Sequence, residues 1–271
     1  MKRLLVGYLS YVNDENKSRR FENFSNSLNS LSQFKDANCD LFSIDNNSSE
    51  DIKKLLSNSQ IFSNLVHLDK NFYDISVIFI TAYLSKKLGY DYCMYMYDDF
   101  VVTKGKSIDD CIKFLDSHND VHCVRVPIYE YENKEAFDPD HTPKSINPDS
   151  IRHFNTVTGE RLRWEGPYFL GNNKFFINNW HYTSRPTIWR TNVLYSLFEN
   201  LDDIPVMQTF EGYSCRKLNE LPLSVGVIDG GIMHTVKQSE RNEKGGTSVD
   251  KKVRIKKLDI LDCLDRLGFK K

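Results

Sequence analysis

The sequence has no Cys-x-x-Cys pair, no Gly-x-Gly-x-x-Gly after a strand-like run, no Gly-x-Ser-x-Gly and no His-Glu-x-x-His. Each absence removes a class of chemistry: zinc ribbons, Rossmann-type dinucleotide binding, serine hydrolases of the nucleophile-elbow kind, and zincin proteases. The six cysteines (Cys39, Cys93, Cys111, Cys123, Cys215, Cys263) are scattered. Neither a disulfide framework nor a zinc site is expected, and buried free thiols are. Gly105-Lys106-Ser107 imitates the end of a P-loop, but Phe100 stands where that motif needs its upstream glycine. No apolar run approaches the roughly 20 residues that span a bilayer. Met1-Lys2-Arg3 and the apolar residues after it superficially resemble a signal peptide, but Ser10, Asn13 and Asp14 interrupt the run. It is expected to be the first core strand, in a cytoplasmic protein that is at most peripheral to a membrane. The Asn-x-Ser sequons at Asn16, Asn23, Asn46 and Asn47 are accordingly not expected to be glycosylated.

Charge of either sign is also lacking in excess. The net charge is −1, which gives no global pull toward nucleic acid or membrane. One local basic run stands out, Lys251-Lys252-Val253-Arg254-Ile255-Lys256-Lys257. What the chain does have is a folded composition, 40% hydrophobic and 13% aromatic over 271 residues, enough to bury a sizeable core.

Strand-like and helix-like segments alternate through the first half. Strands are expected at Arg3 to Leu9, Asp40 to Asp45, Leu65 to Leu68, Tyr92 to Tyr97 and His122 to Ile128. Between them, Phe21, Phe24, Leu28, Leu31 and Phe34 recur at spacings of three and four, as do Ile75, Ile78, Phe79 and Ala82, and Ile108, Cys111, Ile112 and Leu115. These are helix stripes, and Gly89 stands where the second of them needs a C-cap. A β-α-β alternation predicts an α/β fold, an open and mostly parallel sheet flanked by helices. From Tyr129 to Trp180 the pattern gives way to an irregular polar stretch with aromatic islands. Helices return at Thr191 to Leu201 and Met207 to Leu218, a strand at Ser224 to Ile228, and a C-terminal helix carries Leu258, Leu261, Leu264 and Leu267. Three portions are expected: 1–128 and 129–235 as two halves of one domain, and 236–271 as a loop with a terminal helix.

The most informative stretch is Tyr92-Cys93-Met94-Tyr95-Met96-Tyr97-Asp98-Asp99-Phe100-Val101-Val102. A strand-like aromatic run ends in two adjacent carboxylates, and burying an unpaired carboxylate costs several kcal/mol or more. At a strand end the pair can instead hold a divalent cation through hard oxygen ligands. Asp45 ends another strand of the same expected sheet, and ligands of such sheets collect at the C-terminal strand ends.

With these features the chain resembles the GT-A nucleotide-sugar glycosyltransferases, particularly inverting glycosyltransferase family 2. The resemblance covers the order of elements in the first half and two motifs beyond it. It implies a GT-A-type sheet with an irregular acceptor-side region and a C-terminal helical tail. It also implies transfer of a sugar from a nucleoside-diphosphate sugar, UDP-linked by preference, to a hydroxyl on a glycan, lipid-linked or other acceptor. Asp45, in Ser43-Ile44-Asp45-Asn46-Asn47, matches the family's nucleoside-binding carboxylate. Asp98 and Asp99 match its acidic motif for Mn²⁺ or Mg²⁺, with Asp99 the main ligand, because Phe100 breaks a strict Asp-x-Asp. Glu211, in Phe210-Glu211-Gly212, falls at the general base, with Gly212 in place of a family Asp and with Asp202 and Asp203 as rivals. His234, after Gly230-Gly231, falls at a third metal or phosphate contact. Ser10, Lys237 and Arg241 are the further candidates on the nucleotide side, and Trp164, Trp180 and Arg185 on the acceptor side. Two other readings stay open. A modified base in DNA would be the acceptor, suggested by the basic run but not favoured. Alternatively the chain is a silent carbohydrate-binding module, suggested by Gly212.

Overall fold

A computed structural model of the protein describes residues 3–128, 163–179, 185–221, 224–235 and 253–269. In chain order these form β1 (Leu4–Ser10), α1 (Lys17–Ser30), β2 (Cys39–Asp45), α2 (Glu50–Asn58), β3 (Asn64–His67) and α3 (Tyr73–Leu88). There follow β4 (Tyr92–Tyr97), β5 (Phe100–Val102), α4 (Ile108–Ser117), β6 (Val121–Arg125), β7 (Pro127–Ile128), β8 (Trp164–Leu170) and β9 (Asn173–Asn178). The rest are β10 (Thr187–Arg190), α5 (Thr191–Glu199), β11 (Asp203–Pro205), α6 (Met207–Asn219), β12 (Ser224–Ile228), β13 (Met233–Thr235), β14 (Arg254–Lys256) and α7 (Lys257–Arg266).

Nine strands make one sheet in the order β3-β2-β1-β4-β10-β6-β12-β9-β8. Only β10 and β9 run against the other seven. The α/β prediction of a mostly parallel sheet therefore holds. Every residue of β1 is buried, as a strand covered on both faces must be. One apolar layer joins Leu5, Phe42, Cys93 and Tyr95 of the sheet to α3, α5, α6 and α7. The other joins Leu4, Val6, Met94 and Met96 to α1, α2 and α4. Helix α3 lies deepest, with Ile75 to Ala82 entirely buried, and it stops at Gly89 with φ 77°. Only glycine adopts that left-handed C-cap without steric cost. None of the six cysteines is in a disulfide, and five of them are buried. Among the described residues no helix is long and apolar enough to cross a membrane.

The irregular stretch expected up to Trp180 is corrected at its C-terminal end. Residues 164–178 form the antiparallel pair β8–β9, which extends the main sheet beyond β12. Its aromatic residues are strand residues, not loop islands. The expected strand from His122 to Ile128 is likewise two strands, β6 in the main sheet and β7 in a small three-stranded sheet, β5-β13-β7. Strand β10 was not anticipated at all; it wedges between β4 and β6 and pairs antiparallel with both.

The Gly-Lys-Ser imitation has a packing explanation. A Cβ on Gly105 would stand 2.1 Å from the backbone oxygen of Gln33, in the 3₁₀ turn that ends the α1 segment. The glycine lets two chain segments touch, and backbone cannot yield as a flexible side chain can. Gly105→Ala should therefore lower stability by about 1–3 kcal/mol, the usual range for overpacking. Chemical denaturation measures this, and Lys106→Ala, with no comparable contact, is the control expected to fall within about 0.5 kcal/mol of the parent.

Candidate active site

The C-terminal ends of β1, β2 and β4 lie side by side, with Ser10 opposite Asp45 and Leu9 opposite Tyr97. Asp45 is fully buried. It accepts hydrogen bonds from Ser10 Oγ at 3.2 Å and from the Ser48 backbone N–H at 3.2 and 3.3 Å, and His67 Nδ1 stands 3.6 Å away. It thus caps the turn after β2 while sitting on the rim where the resemblance put it. Ser10 and Asp45 are brought together by strand register alone.

Asp98 and Asp99 are the two-residue turn between β4 and β5. The apolar residues after them leave the main sheet and pair with β13, which is why Phe100 and Val102 are buried beyond two carboxylates. Asp98 is 2% exposed, and both its oxygens are engaged. Oδ2 accepts from the Tyr11 backbone N–H at 3.1 Å, and Oδ1 from the Arg20 guanidinium of α1. Burial raises Asp98's proton affinity, and Arg20 and the Tyr11 N–H draw it back only in part. Asp99 differs in one respect: its Oδ1 is buried and accepts no hydrogen bond. Burial, and then the negative charge of Asp98, push its pKa up to about 6, against the pull of Arg20 and Arg185. Arg185 lies just before β10, whose Thr187 pairs with Tyr95 of β4, so its charge is carried to the same end of β4.

Around this turn the structure gathers residues that the sequence did not flag. Tyr97 has its phenol held protonated, first by burial and then by Tyr95, Asp74, Asp99 and Glu211. Glu211 of α6 is thereby placed within electrostatic reach of the ring that precedes the acidic pair. It lies in the second turn of α6, beyond the first-turn position that would make it an ordinary helix-start acid. Asp74, at the start of α3, is exposed yet ringed by protein, and burial followed by the repulsion of Asp98 raises its pKa against the pull of Arg20. Arg20, Asp74 and Tyr97 thus belong to the site. Tyr97 was adjacent to a recognised motif, whereas no local signal marks Arg20 or Asp74.

His234 pairs with Val101 across β13 and β5, two positions past Asp99, and so follows the acidic turn into the small sheet. Gly230 and Gly231 before it have φ 71° and 58° and build a left-handed turn out of β12. Trp164 is not brought to this rim. A transverse row of the sheet runs from Cys93 through Trp189, Cys123, Val225 and Asn178 to Trp164. Cys93 precedes Asp98 by five residues, about 16 Å along a strand. The Trp164 ring packs toward the core beside Phe176, edge-on at 6.3 Å, which is a structural placement rather than an acceptor platform. The rival acids are elsewhere too: Asp203 pairs with Lys256 in the β11–β14 ribbon, and Asp202 lends its carbonyl to the Lys257 N–H. Lys257 itself caps the carbonyls of Phe198 and Glu199, which removes it from the basic run as a free cation. Trp180, Lys237, Arg241 and the basic pair Lys251-Lys252 lie outside the described residues.

Among the described residues no group of three His, Cys, Asp or Glu side chains is disposed to hold a metal ion. The donor set nonetheless suits a cation bound partly by its substrate. One carboxylate oxygen without a hydrogen-bond partner, on Asp99, would be the hard ligand of such a cation, and phosphate and water oxygens are the usual remaining ligands of Mg²⁺ in sites of this kind.

No family model matches the sequence, and no curated protein matches it either. Solved structures do match by shape, and the fold they share with this chain is of the GT-A type. Crystal structures of S. aureus TarS 1-349 superpose with a TM-score of 0.53 for the complex with UDP-GlcNAc (11% identity, 88% of this chain and 59% of that one). The structure of TarS 1-349 alone gives 0.52 (12% identity, 86% and 60%), and the complex with UDP 0.51 (11% identity, 86% and 60%). The chain spans about 60% of the length of these structures. At such identities the likeness establishes the fold.

The Asp99 carboxyl carries a stability consequence with a definite sign. Its folded pKa of about 6 lies above the ordinary value of about 3.9, so the folded protein binds the extra proton. Ionisation therefore costs stability above pH 6, and the cost vanishes once the pH falls below the unfolded value. In chelator, Asp99→Asn should be the more stable protein at pH 7.5, by roughly 1–3 kcal/mol. The difference should shrink toward zero near pH 4. Thermal or urea unfolding at the two pH values checks this; an advantage that is unchanged at pH 4 would show that titration is not its cause.

Proposed function

We propose that the protein is a glycosyltransferase that moves a sugar from a UDP-sugar to a hydroxyl of a glycan, lipid-linked or other acceptor, with inversion at the anomeric carbon. The observation that carries this reading is the buried, unpartnered Asp99 oxygen at the C-terminal rim of a GT-A sheet, with Glu211 approaching from a separate helix. The TarS complexes, which share the fold, contain UDP and UDP-GlcNAc, so UDP-GlcNAc is the first donor to try.

In this reading Asp45 and Ser10 line the nucleoside end of the rim, Asp99 holds Mn²⁺ or Mg²⁺, and His234 supports the metal or phosphate side. The cation supplies charge neutralisation for the departing diphosphate. Glu211 takes the proton of the acceptor hydroxyl as its oxygen bonds to the anomeric carbon. The bond from that carbon to the phosphate oxygen breaks, and its electron pair leaves with UDP. A base on the face opposite the leaving group gives inversion. Tyr97 keeps its phenol protonated beside Glu211 and Asp99. Arg185 offsets negative charge at Asp99 and in this reading meets the acceptor. This reading goes with a cytoplasmic location, where UDP-sugars are made and thiols stay reduced.

The test is UDP release from a panel of UDP-sugars with Mn²⁺. Glu211→Gln is expected to lower kcat by about 10²–10⁴-fold, the range for losing a general base, with the KM for donor within a fewfold of the parent. Asp99→Asn should remove metal-stimulated turnover. A Glu211→Gln protein that turns over at the parental rate removes Glu211 as base, and full parental activity in excess chelator removes the cation. Binding of sugar with no nucleotide affinity would favour the carbohydrate-binding module instead.

A further inference from the structure

Helix α1 is fastened to the acidic turn along one face. Arg20, Ser27 and Ser30 are spaced by seven and three residues, so their side chains lie on the same side of the helix. Ser27 Oγ donates to the Phe100 carbonyl at 2.6 Å, and Ser30 Oγ accepts from the Val102 N–H at 2.9 Å. Arg20 reaches the carboxylate that precedes them and takes Asp98 Oδ1, while Tyr11 N–H takes Oδ2. Asp98 is 2% exposed, and with both oxygens occupied it faces the protein. Asp99, its neighbour, has a buried oxygen that accepts no hydrogen bond. Two adjacent carboxylates of one turn have therefore been given opposite assignments, and the residue that separates them is on a helix 78 positions earlier.

We propose that Arg20 is a positioning residue that reserves Asp98 for the protein, so that Asp99 alone meets the cation of the donor complex. The inference rests on the cation-dependent reading above and concerns which carboxylate serves it. A guanidinium holds a carboxylate by directed, charge-assisted bonds and supplies the countercharge a buried anion needs. With Asp98 held in place by Arg20 and the Tyr11 N–H, a cation at Asp99 does not have to compete with a second mobile carboxylate. The same arrangement accounts for an acidic motif of two adjacent residues with no spacer: the first Asp anchors the turn and the second does the binding.

The experiment is titration of Mn²⁺ into the protein with UDP present, followed by the electron paramagnetic resonance signal of free Mn²⁺. Asp99→Asn should weaken Mn²⁺ binding tenfold or more, and Asp98→Asn should leave it within threefold of the parent. In an Arg20→Met background Asp98 is released, and there Asp98→Asn should cost tenfold or more. Arg20→Lys, which keeps the charge, should restore the parental insensitivity to Asp98→Asn. If Arg20→Met does not fold, the Asp98→Asn protein in the parental background decides alone. A tenfold loss of Mn²⁺ binding there overturns the inference and leaves the glycosyltransferase reading standing. No bound Mn²⁺ in the parent, with UDP or without it, overturns the inference together with the cation of that reading.

Discussion

The site depends on one electrostatic constraint, the presence of two adjacent carboxylates at the buried end of β4, an interior strand of the sheet. A pair of anions at that depth cannot be left to the protein interior, and the molecule treats them separately. Asp98 is met by a guanidinium and a backbone N–H, whereas Asp99 keeps an oxygen without a partner and is pushed toward its neutral form. The surrounding architecture supports that division. Helix α1 supplies the guanidinium and clasps β5, β5 carries the chain away into a second small sheet, and β13 in that sheet brings His234 alongside. Unmet charge of this kind is a cost to the fold, and it is tolerated where a ligand completes it.

A second division concerns the two faces of the sheet. The layer of α3, α5, α6 and α7 carries Glu211, Asp74 and Tyr97's surroundings, and the layer of α1, α2 and α4 carries Arg20. Groups from both layers converge at the same rim because β1 and β4 end there together. Glu211 and the anchoring Arg20 can therefore come from opposite sides of the sheet without either helix having to move. This is the ordinary advantage of building a site where strands end and helices from both faces can reach it.

How much of this was legible in the sequence varied with the range of the interaction. The parallel core was legible because its strands are continuous apolar runs and its helices carry regular stripes, both local signals. The acidic turn was legible because carboxylates directly after a buried run contradict their surroundings. Strand β10 was not, since four residues behind Arg185-Pro186 carry no period, and it is defined by its neighbours β4 and β6. The β8–β9 pair was mistaken for aromatic loop islands because Gly166-Pro167 and a register shift break its alternation. Trp164 followed from that error: an aromatic residue in a supposed loop suggested sugar stacking, but as a strand residue it packs on the core. Arg20 was the hardest to see, because its partner lies 78 residues away and nothing beside it in the chain anticipates the contact.

Strand β10 also governs the order in which the molecule can form. It separates β4 from β6, so the two halves of the nine-stranded sheet have no direct edge in common. Until residues 187–190 arrive, β4 presents an unpaired and strongly apolar edge, Tyr92 to Met96, to anything nearby. The N-terminal layers can collapse earlier on local contacts, but the sheet closes only with a segment nearly a hundred residues later in the chain. Such late, long-range closure slows folding and leaves a strand edge open to wrong pairing during synthesis. The wedge that unites the sheet in the native state is thus also its point of greatest exposure on the way there.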